Sequence, residues 1–471
     1  MSTKSATTMV DAVPEDVISQ LKAILAEQYV LTDPAITKPY LLDETAPWVR
    51  PNPSKAIVVV KPGRTDEVSS IMKVAHQNAI SVFPRGGGTG LCGGAVPTIP
   101  GIVIAMERMN HVEIDKENLL AICEAGVTLR DLSAAAEEAG LSFPPHPGDD
   151  SAQVGAMVAT NAGGSRAIRH GVMRNAVRGL EVVLADGQTM KMSWKLQKDN
   201  TGYNLMNLFI GSEGTLGVIT GAAIKLSPRS PFTMTMLIPY DDIYDAIGTV
   251  PDMLVSGMTP LAVEYVQRRE ISIVEKHLNQ EWPARQGSVF LLVILDGMDQ
   301  DEVFRMAERL SEISKKRKAL DPIVAESTKE QERILNMRSN IYTALKSDSY
   351  DILDVSVPPP MMAELVQKIN KISERFGIYI ALYGHAGDGN LHPQLIFKEG
   401  IELSTYERAK EEIYAEATSM GGAITAEHGI GKIRSKFLHQ YLSDRQLQLM
   451  SGIKRIFDPK GILNPEISFA S

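Results

Sequence analysis

The chain has 471 residues, of which 44% are hydrophobic and 22% charged, a composition typical of a globular protein with two to four domains. Its net charge of −9 argues against a nucleic-acid partner, and no apolar run is long enough for a transmembrane helix. Two cysteines, Cys92 and Cys123, cannot build a disulfide framework. Residues 1–16 lack the apolar core of a signal peptide. For both reasons we expect a cytoplasmic protein.

The first half of the chain begins with helix and strand patterns in alternation. Apolar residues recur at helical spacing over 14–27, and residues 55–62 form a β-branched run typical of a buried strand. The pattern over 65–77 predicts a helix with acids in its first turn and Thr65 as its cap, and 80–83 predicts another strand. This strand, helix and strand lead directly into a glycine-rich segment.

The glycine-rich segment, PRGGGTGLCGG, occupies residues 84–94. Six of the nine residues from Gly86 to Gly94 are glycine, which leaves backbone N–H groups unobstructed and permits positive φ. A backbone nest for phosphate oxygens needs both properties, so we expect a pyrophosphate here, with Arg85 at the entry. The spacing matches neither a P-loop nor a clean G-x-G-x-x-G motif that opens a helix. A mobile loop without a ligand is the alternative.

Two further clusters of small residues follow. Strands are predicted at 102–106 and 119–124, and a helix at 128–139. Small residues then concentrate in 144–164 and again in 211–219. Three such loops within about 135 residues indicate one extended ligand that is contacted repeatedly, as a dinucleotide would be.

The chain changes character after residue 230, where strand and helix patterns alternate again and predict an α+β cap. The boundary is marked by Pro228 and Pro231. The predicted elements are strands at 233–238, 262–266 and 288–295 and helices at 301–317 and 332–346.

Histidines concentrate towards the end of this region. Residues 378–383 and 391–397 are β-branched and aromatic runs joined by a Gly/Asp/Asn-rich stretch, the composition of a hairpin. His385 and His392 would lie near its mouth, and Glu427 would complete a three-ligand set that suits zinc, iron or manganese. The histidine that follows Glu427 would stay unligated and could serve as a base. The alternative is that both hairpin histidines bond to backbone groups and that Glu427 is a surface acid.

Six segments together resemble one family, the FAD-linked 2-hydroxyacid dehydrogenases of the vanillyl-alcohol-oxidase superfamily. They are PRGGGTGLCGG, PPHPGDD with NAGGSRAIRHGVMRNAV and LEVVLADG, GSEGTLGVIT, YGHAGDGNLHPQ, AEHGIGKIRSKFL and the terminal FDPKGILNPE. The resemblance covers roughly residues 40–468, and the most similar members are D-lactate dehydrogenases, D-2-hydroxyglutarate dehydrogenase and a flavin-binding component of glycolate oxidase.

The resemblance implies an α+β fold with a PCMH-type FAD-binding domain of two α+β subdomains. A ferredoxin-like α+β cap would follow, and then a short C-terminal helical segment that returns to the FAD domain. The implied boundaries are 1–50 for a helical lead-in, 51–229 for the FAD-binding domain, 230–425 for the cap and 426–471 for the segment that completes the active site.

The resemblance also implies bound FAD. Members with covalent flavin place a histidine in the first loop, where this chain has Gly87 and Gly88, so the FAD is expected to be non-covalent. The terminal NPE would bring Asn464 to the flavin edge. The implied cofactor-binding residues are Pro84, Arg85, Gly86, Gly87, Gly88, Thr89, Gly90, Leu91, Pro147, Gly148, Gly155, Asn161, Gly164, Gly171, Glu213, Gly214, Val218, Ile219 and Asn464.

For catalysis, the resemblance implies a divalent metal on His385, His392 and Glu427. The metal would bind the substrate hydroxyl and a carboxylate oxygen and lower the pKa of the hydroxyl. Arg338, on a predicted helix of the cap, would pair with the substrate carboxylate through its planar guanidinium. His428 would take the hydroxyl proton, and flavin N5 would accept the hydride from C2.

The expected substrate is a small D-2-hydroxy acid. Hydroxyglutarate-type relatives have a lysine before the segment DVSVP, where this chain has Ile352 and Leu353, so D-lactate is favoured over D-2-hydroxyglutarate, with glycolate as a further alternative. Electrons would pass to an acceptor other than NAD, and a quinone, a cytochrome, an electron-transfer flavoprotein, an iron–sulfur subunit and oxygen are all compatible. Oligomerisation and peripheral membrane association are compatible as well. A flavin-bearing electron-transfer subunit without its own substrate is the alternative from another class.

Overall fold

The computed structural model describes residues 12–325 and 327–467, and the strands of its first half form two larger sheets and one short pair. These strands are β1 Val30–Leu31, β2 Ile57–Val60, β3 Ser81–Arg85, β4 Gly101–Ala105, β5 Val112–Asp115, β6 Leu120–Glu124, β7 Leu141–Ser142, β8 Val177–Val183, β9 Thr189–Ser193, β10 Val218–Lys225 and β11 Ser227–Pro228.

Helices cover these sheets and the larger sheet that follows. Their bounds are α1 Glu15–Ile24, α2 Pro34–Thr37, α3 Thr65–Gln77, α4 Leu129–Glu138, α5 Val154–Thr160, α6 Ala167–His170, α7 Met173–Ala176, α8 Met206–Phe209, α9 Ile243–Val255, α10 Arg268–Leu278, α11 Gln300–Lys316, α12 Thr328–Leu345, α13 Met362–Phe376, α14 Leu403–Ser419, α15 Leu438–Tyr441 and α16 Asp444–Phe457. None of the helices in the described ranges is long and apolar enough to cross a membrane.

The first sheet has the order β1-β2-β4-β3, with β2, β4 and β3 parallel. Its strands are apolar on both faces because each face is covered: Val58 and Val60 pack with α1 and α3, and Ile57 and Val59 lie on the other face. The predicted helix at 65–77 is confirmed, but the prediction that Thr65 caps it was wrong. The Thr65 hydroxyl instead donates to Glu181 Oε2 at 3.2 Å.

The second sheet is antiparallel, with the order β5-β6-β10-β8-β9. The C-terminal segment after α16 returns to the first sheet, where it lies beside β3. There the Val82 N–H donates to the Ile462 carbonyl at 2.8 Å, and the Asn464 N–H donates to the Val82 carbonyl at 2.8 Å. Residues more than 370 positions apart thus share one sheet edge.

The cap sheet lies in the second half and has eight strands, in the order β15-β12-β14-β13-β18-β19-β16, with β17 also paired to β19. Successive residues alternate between its faces: Leu291 packs with α9, α11, α13 and α14, whereas Phe290 and Leu292 pack with α10 and α12. Together with the first two sheets it forms the expected α+β fold. The strands are β12 Phe232–Tyr240, β13 Ala262–Gln267, β14 Val289–Gly297, β15 Ile323–Ala325, β16 Ser349–Ile352, β17 Val355–Ser356, β18 Ile380–His385 and β19 Asn390–Ile396.

Candidate active site

The hairpin formed by β18 and β19 presents two histidines on one face of the cap sheet. His392 is directly opposite Tyr383, and His385 is two residues further along the same strand as Tyr383. Because side chains two apart in a strand point to the same side, both imidazoles project from the same face. The hairpin turn packs closely against α6, since a Cβ at Gly387 would lie 2.5 Å from Ile168 Cδ1. The predicted hairpin is therefore confirmed, and both histidines are buried.

Glu427 and His428 lie on a loop that Asp354 holds in place. One carboxylate oxygen of Asp354 accepts hydrogen bonds from the backbone N–H groups of Ala426, Glu427 and His428 at 2.7–2.8 Å. Asp354 is fully buried, and burial alone would raise the pKa of its carboxyl. The neighbouring His428, His392 and Arg434 and the amide donors outweigh that effect and lower the pKa of Asp354.

The same loop is held from the opposite side by Glu213, on the third small-residue cluster. The two oxygens of the Glu213 carboxylate accept the N–H groups of Ile430 and Gly431, each at 2.8 Å. Gly431 has φ +52° and its position admits no side chain, because a Cβ would lie 2.0 Å from the Cys92 carbonyl oxygen. Two separate carboxylates thus fix the backbone on either side of Gly429.

Two predicted metal ligands, His385 and His392, each lie close to the third, Glu427. The four residues whose ligand atoms all lie within 4.8 Å of one another are Asp354, His392, Glu427 and His428, a group that leaves out His385. Glu427 Oε1 lies 3.5 Å from His385 Nε2 and 3.5 Å from His392 Nε2. Two atoms that each coordinate one tetrahedral ion at about 2.1 Å are about 3.4 Å apart, so this spacing fits ligands that share a cation. His428 Nε2 is further from the same oxygen, at 4.0 Å, and its ring stacks on His392 with centroids 5.0 Å apart.

The protonation of His392 fits a divalent ion, whereas an ion at His385 must displace a proton. Burial lowers the pKa of His385, but Glu264 and Glu427 outweigh burial and raise that pKa. Burial and the neighbouring His428 lower the pKa of His392 to about 3, which favours the neutral imidazole that binds metals. Asp354 also has an oxygen close to His392, Glu427 and His428. The Asp354 carboxylate already has other hydrogen-bond partners, because its second oxygen accepts a hydrogen bond from Asn390 Nδ2 at 2.9 Å.

Glu264, a residue that the sequence analysis did not single out, joins this cluster to Arg338. Glu264 Oε1 lies 2.6 Å from His385 Nδ1, and Glu264 Oε2 lies 2.5 Å from Arg338 Nη2. Burial would raise the pKa of Glu264, but Arg338 and His385 bring it down to about 2. The Arg338 guanidinium also lies 5.4 Å above the Tyr383 ring, and its Nε is buried without a hydrogen-bond partner among the described residues.

Helix α12 explains how Arg338 comes to face the site. Ile334, Met337 and Ile341 are buried against the cap sheet, at helical spacing. The adjacent face of the helix, which includes Arg338, Tyr342 and Lys346, lines a large cavity between the cap and the first two sheets. Lys346 forms an ion pair with Glu44 at the rim of that cavity. A helix predicted from the sequence thus supplies one wall of the site.

The cavity has a volume of about 710 Å³ and is lined by all three small-residue loops and by the histidine cluster. A Cβ at Gly88 would lie 2.1 Å from Arg85 Nη2, and Arg85 Nη1 is buried without a partner among the described residues. This cradle fits a phosphate-bearing cofactor. Sixteen predicted cofactor-binding residues line it, namely Pro84, Arg85, Gly86, Gly88, Thr89, Gly90, Leu91, Pro147, Gly148, Gly155, Gly164, Glu213, Gly214, Val218, Ile219 and Asn464.

Three residues from the same prediction lie outside the lining of the cavity. Gly87 packs against the chain at Ser151, whose carbonyl oxygen would be 2.4 Å from a Cβ at this position. Asn161 ends α5 in the left-handed conformation, and Gly171 has φ +70° beside Asn175. These residues shape the turns of the small-residue loops, and their contact with the cofactor stays a prediction.

The sequence offered a weak signal for the residues that were missed. Glu264 stands in the strand AVEYV and Asp354 in DILDVSV, so each is an acid with apolar residues on both sides. A buried charge at such a position is costly without partners. The energetic cost of burying each of these acids therefore indicates that it has a charged or metal-binding neighbour.

Comparisons with known proteins show the family to which the chain belongs. A family model described as "FAD binding domain" matches residues 56–193, and one described as "FAD linked oxidases, C-terminal domain" matches residues 229–467. A D-lactate dehydrogenase from Archaeoglobus fulgidus is 44% identical over 90% of this chain and 94% of its own. A glycolate oxidase subunit GlcD from Bacillus subtilis is 37% identical over 88% of both chains.

A mitochondrial D-2-hydroxyglutarate dehydrogenase from Bos taurus is 32% identical over 96% of this chain and 83% of its own. Among solved structures, 4-ethylphenol oxidase from Gulosibacter chungangensis superimposes with a TM-score of 0.79 at 19% identity, covering 98% of this chain and 99% of its own. At that identity the structural likeness shows a shared fold.

Proposed function

Because the chain belongs to the family of FAD-linked oxidases and is an FAD-linked oxidoreductase, we propose that it oxidises a small D-2-hydroxy acid, with D-lactate as first choice, to the 2-oxo acid. The observation that carries the proposal is the convergence of His385 Nε2 and His392 Nε2 on Glu427 Oε1, beside Arg338, in a cavity lined by glycine loops. An electron carrier without a substrate of its own has no use for such a donor set.

We propose that His385, His392 and Glu427 hold a divalent ion such as Zn²⁺, Fe²⁺ or Mn²⁺ and that the glycine loops hold FAD without a covalent bond. When bound, the flavin takes up the hydride equivalent from C2 and the ion makes the substrate hydroxyl more acidic. Arg338 supports this arrangement, since it lines the cavity beside the histidine cluster and its guanidinium can meet a substrate carboxylate while Nη2 stays on Glu264.

His428 is the proposed base. Its Nε2 is on the same side as the ligand atoms but 4.0 Å from Glu427 Oε1, so this nitrogen can accept the hydroxyl proton. The stack on His392 and the backbone hydrogen bond to Asp354 fix the ring and the backbone of His428. Holding reacting groups in place in this way can contribute roughly 7–11 kcal/mol to lowering the barrier.

The charges around the cavity support a monocarboxylate. Of the residues that line it in the described ranges, the arginines and lysines are Arg85, Arg338 and Lys346. Arg85 lies at the first glycine loop, and Lys346 is already paired with Glu44. Ile352, next to which some relatives carry a lysine, is buried and lines the cavity with an apolar side chain. A second substrate carboxylate would therefore find little positive charge.

The domain limits and the fate of the electrons complete the proposal. One family match ends at residue 193 and the other begins at residue 229, which supports a boundary near residue 229 between the FAD-binding domain, 51–229, and the cap, 230–425. Residues 426–471 would complete the site. Electrons would leave through a protein or quinone acceptor other than NAD.

The test is an anaerobic substrate panel on protein loaded with FAD and metal. We expect D-lactate to bleach the flavin absorbance fastest, ahead of glycolate, D-malate and D-2-hydroxyglutarate, with L-lactate inactive. Faster bleaching by glycolate or D-2-hydroxyglutarate would reassign the substrate. If none of these acids reduces the flavin, the proposal fails and an electron-transfer role becomes the better description.

A further inference from the structure

Glu264 occupies a buried strand position, at which an apolar residue would be expected. It lies in β13 between Val263 and Tyr265, in the interior of the cap sheet, and its side chain is 4% exposed. Its Cα is directly opposite that of His385 on β18, so the two side chains leave the sheet on the same face. A carboxylate buried here must have partners that compensate for the loss of water.

Each oxygen of Glu264 has a different partner. Oε1 lies 2.6 Å from His385 Nδ1 and Oε2 lies 2.5 Å from Arg338 Nη2. The two partners come from different elements, β18 and α12, and they have different roles in the proposed reaction, since His385 is a metal ligand and Arg338 a substrate-carboxylate group. One carboxylate thus connects the two halves of the proposed site.

We infer that Glu264 is a positioning residue that orients both His385 and Arg338, an inference that rests on the proposed function. An acceptor at Nδ1 fixes the proton on that nitrogen and leaves Nε2 free for the ion, as carboxylate partners of ligating histidines do. The second oxygen holds Nη2 of Arg338 and so fixes the guanidinium of a residue that lines the cavity.

A purely stabilising role explains this residue less well. Buried ion pairs are often no more stabilising than apolar side chains of similar volume, because removing the charges from water is costly. Among the described residues, Val263 and Tyr265 pack into the apolar core of the same sheet. Glu264 alone of the three faces the cavity, where the histidine cluster and Arg338 are.

The test compares Glu264→Gln with wild type and with Glu270→Gln. Gln keeps the shape, but its neutral amide oxygen holds the Nδ1 proton of His385 more weakly than a carboxylate does, and its NH₂ group then faces the donor Arg338 Nη2. Glu270 is a matched control, because it is another buried glutamate of the cap whose partners are Tyr379 and the Leu382 N–H rather than the site. FAD content and thermal unfolding of all three proteins verify folding.

Two readouts separate positioning from stability. The first is Zn²⁺ affinity, measured by titration against a competing chelator without substrate, and the second is the split between KM and kcat for D-lactate. We expect Glu264→Gln to bind Zn²⁺ at least tenfold more weakly and to raise KM at least tenfold, while Glu270→Gln stays within threefold of wild type. Should Glu264→Gln fail to fold, Glu264→Asp replaces it, because the shorter acid cannot reach both partners, and the same losses are expected.

Wild-type values for both readouts from Glu264→Gln, or from Glu264→Asp if that variant is used, would overturn the inference and leave the proposed function intact. If wild-type protein itself neither binds Zn²⁺ nor is reduced by any acid of the panel, the proposed function fails, and the inference fails with it. The substrate-free metal titration distinguishes these two outcomes.

Discussion

The carboxylate of Asp354 accepts a hydrogen bond of 2.7 Å from the backbone N–H of His428. The same oxygen takes the N–H groups of Ala426 and Glu427, so one buried acid orders three successive peptide units. These three units include the proposed ligand Glu427 and the proposed base His428. The positions of both groups therefore depend on a residue that is outside the lining of the cavity.

Replacing Asp354 with Asn is expected to destabilise the protein and slow the reaction. Removing the charge weakens several buried hydrogen bonds, which should lower the free energy of unfolding by roughly 3 kcal/mol. Flavin reduction by D-lactate should slow at least tenfold. Urea denaturation and stopped-flow absorbance measure the two effects, with the exposed Asp321→Asn as control. Stability within about 0.5 kcal/mol of wild type would show that the loop does not depend on Asp354.

Replacing His428 with Ala should remove catalysis while leaving the cofactor in place. General bases typically contribute 10²–10⁴-fold, so we expect anaerobic bleaching of the flavin by D-lactate to slow at least a hundredfold. The absorbance spectrum of the purified variant should still show bound FAD. The exposed His277→Ala serves as control and should behave as wild type. Undiminished bleaching by the variant would remove His428 from its proposed role.

Removing the metal should stop turnover reversibly. Glu427, His385 and His392 would then lack the ion that makes the substrate hydroxyl acidic. We expect exhaustive chelation to abolish D-lactate oxidation and Zn²⁺, Mn²⁺ or Fe²⁺ to restore it, with FAD content unchanged. Fully active protein that elemental analysis finds free of metal would contradict this prediction.

The ion pair between Glu44 and Lys346 should affect which acids are oxidised. Glu44→Gln removes the negative charge at the rim and leaves Lys346 able to meet a second substrate carboxylate. Because both side chains are about half exposed, the effect is modest, and we expect kcat/KM for D-2-hydroxyglutarate relative to D-lactate to rise about threefold to tenfold. Glu308→Gln, an exposed glutamate elsewhere on the cap, controls for the change in net charge. An unchanged ratio would mean that Lys346 does not reach the substrate.

Glu270 makes the stability of the cap depend on pH. Burial raises the pKa of its carboxyl from 4.5 to about 7, so the folded state binds its proton more tightly than the unfolded state. Its contribution is fully present below pH 4.5 and is lost as the pH rises to about 7. At pH 8, Glu270→Gln should be more stable than wild type by roughly 1–3 kcal/mol, and the difference should shrink near pH 4.5. Urea denaturation at both pH values tests this, and a difference independent of pH would refute it.

The elements that carry the site were predictable from the sequence, because local patterns specify them. The hairpin that bears His385 and His392 follows from β-branched runs around a glycine-rich turn, and α12 follows from its helical period. The proposed metal-ligand set rests on residue chemistry, since imidazole and carboxylate groups bind the same ions wherever the chain brings them together. The glycine loops likewise indicate a close approach of backbone to ligand.

Only the tertiary structure decided which distant groups meet. Glu264 is 121 residues from His385, and Glu44 is 302 residues from Lys346, so no local pattern relates either pair. Asp354 became recognisable as an anchor only when its carboxylate was found against amides more than 70 residues away. The composition and hydrophobic period of a segment predict its secondary structure and which of its faces is buried. The partner of a buried charge depends instead on how the sheets are arranged in the whole fold.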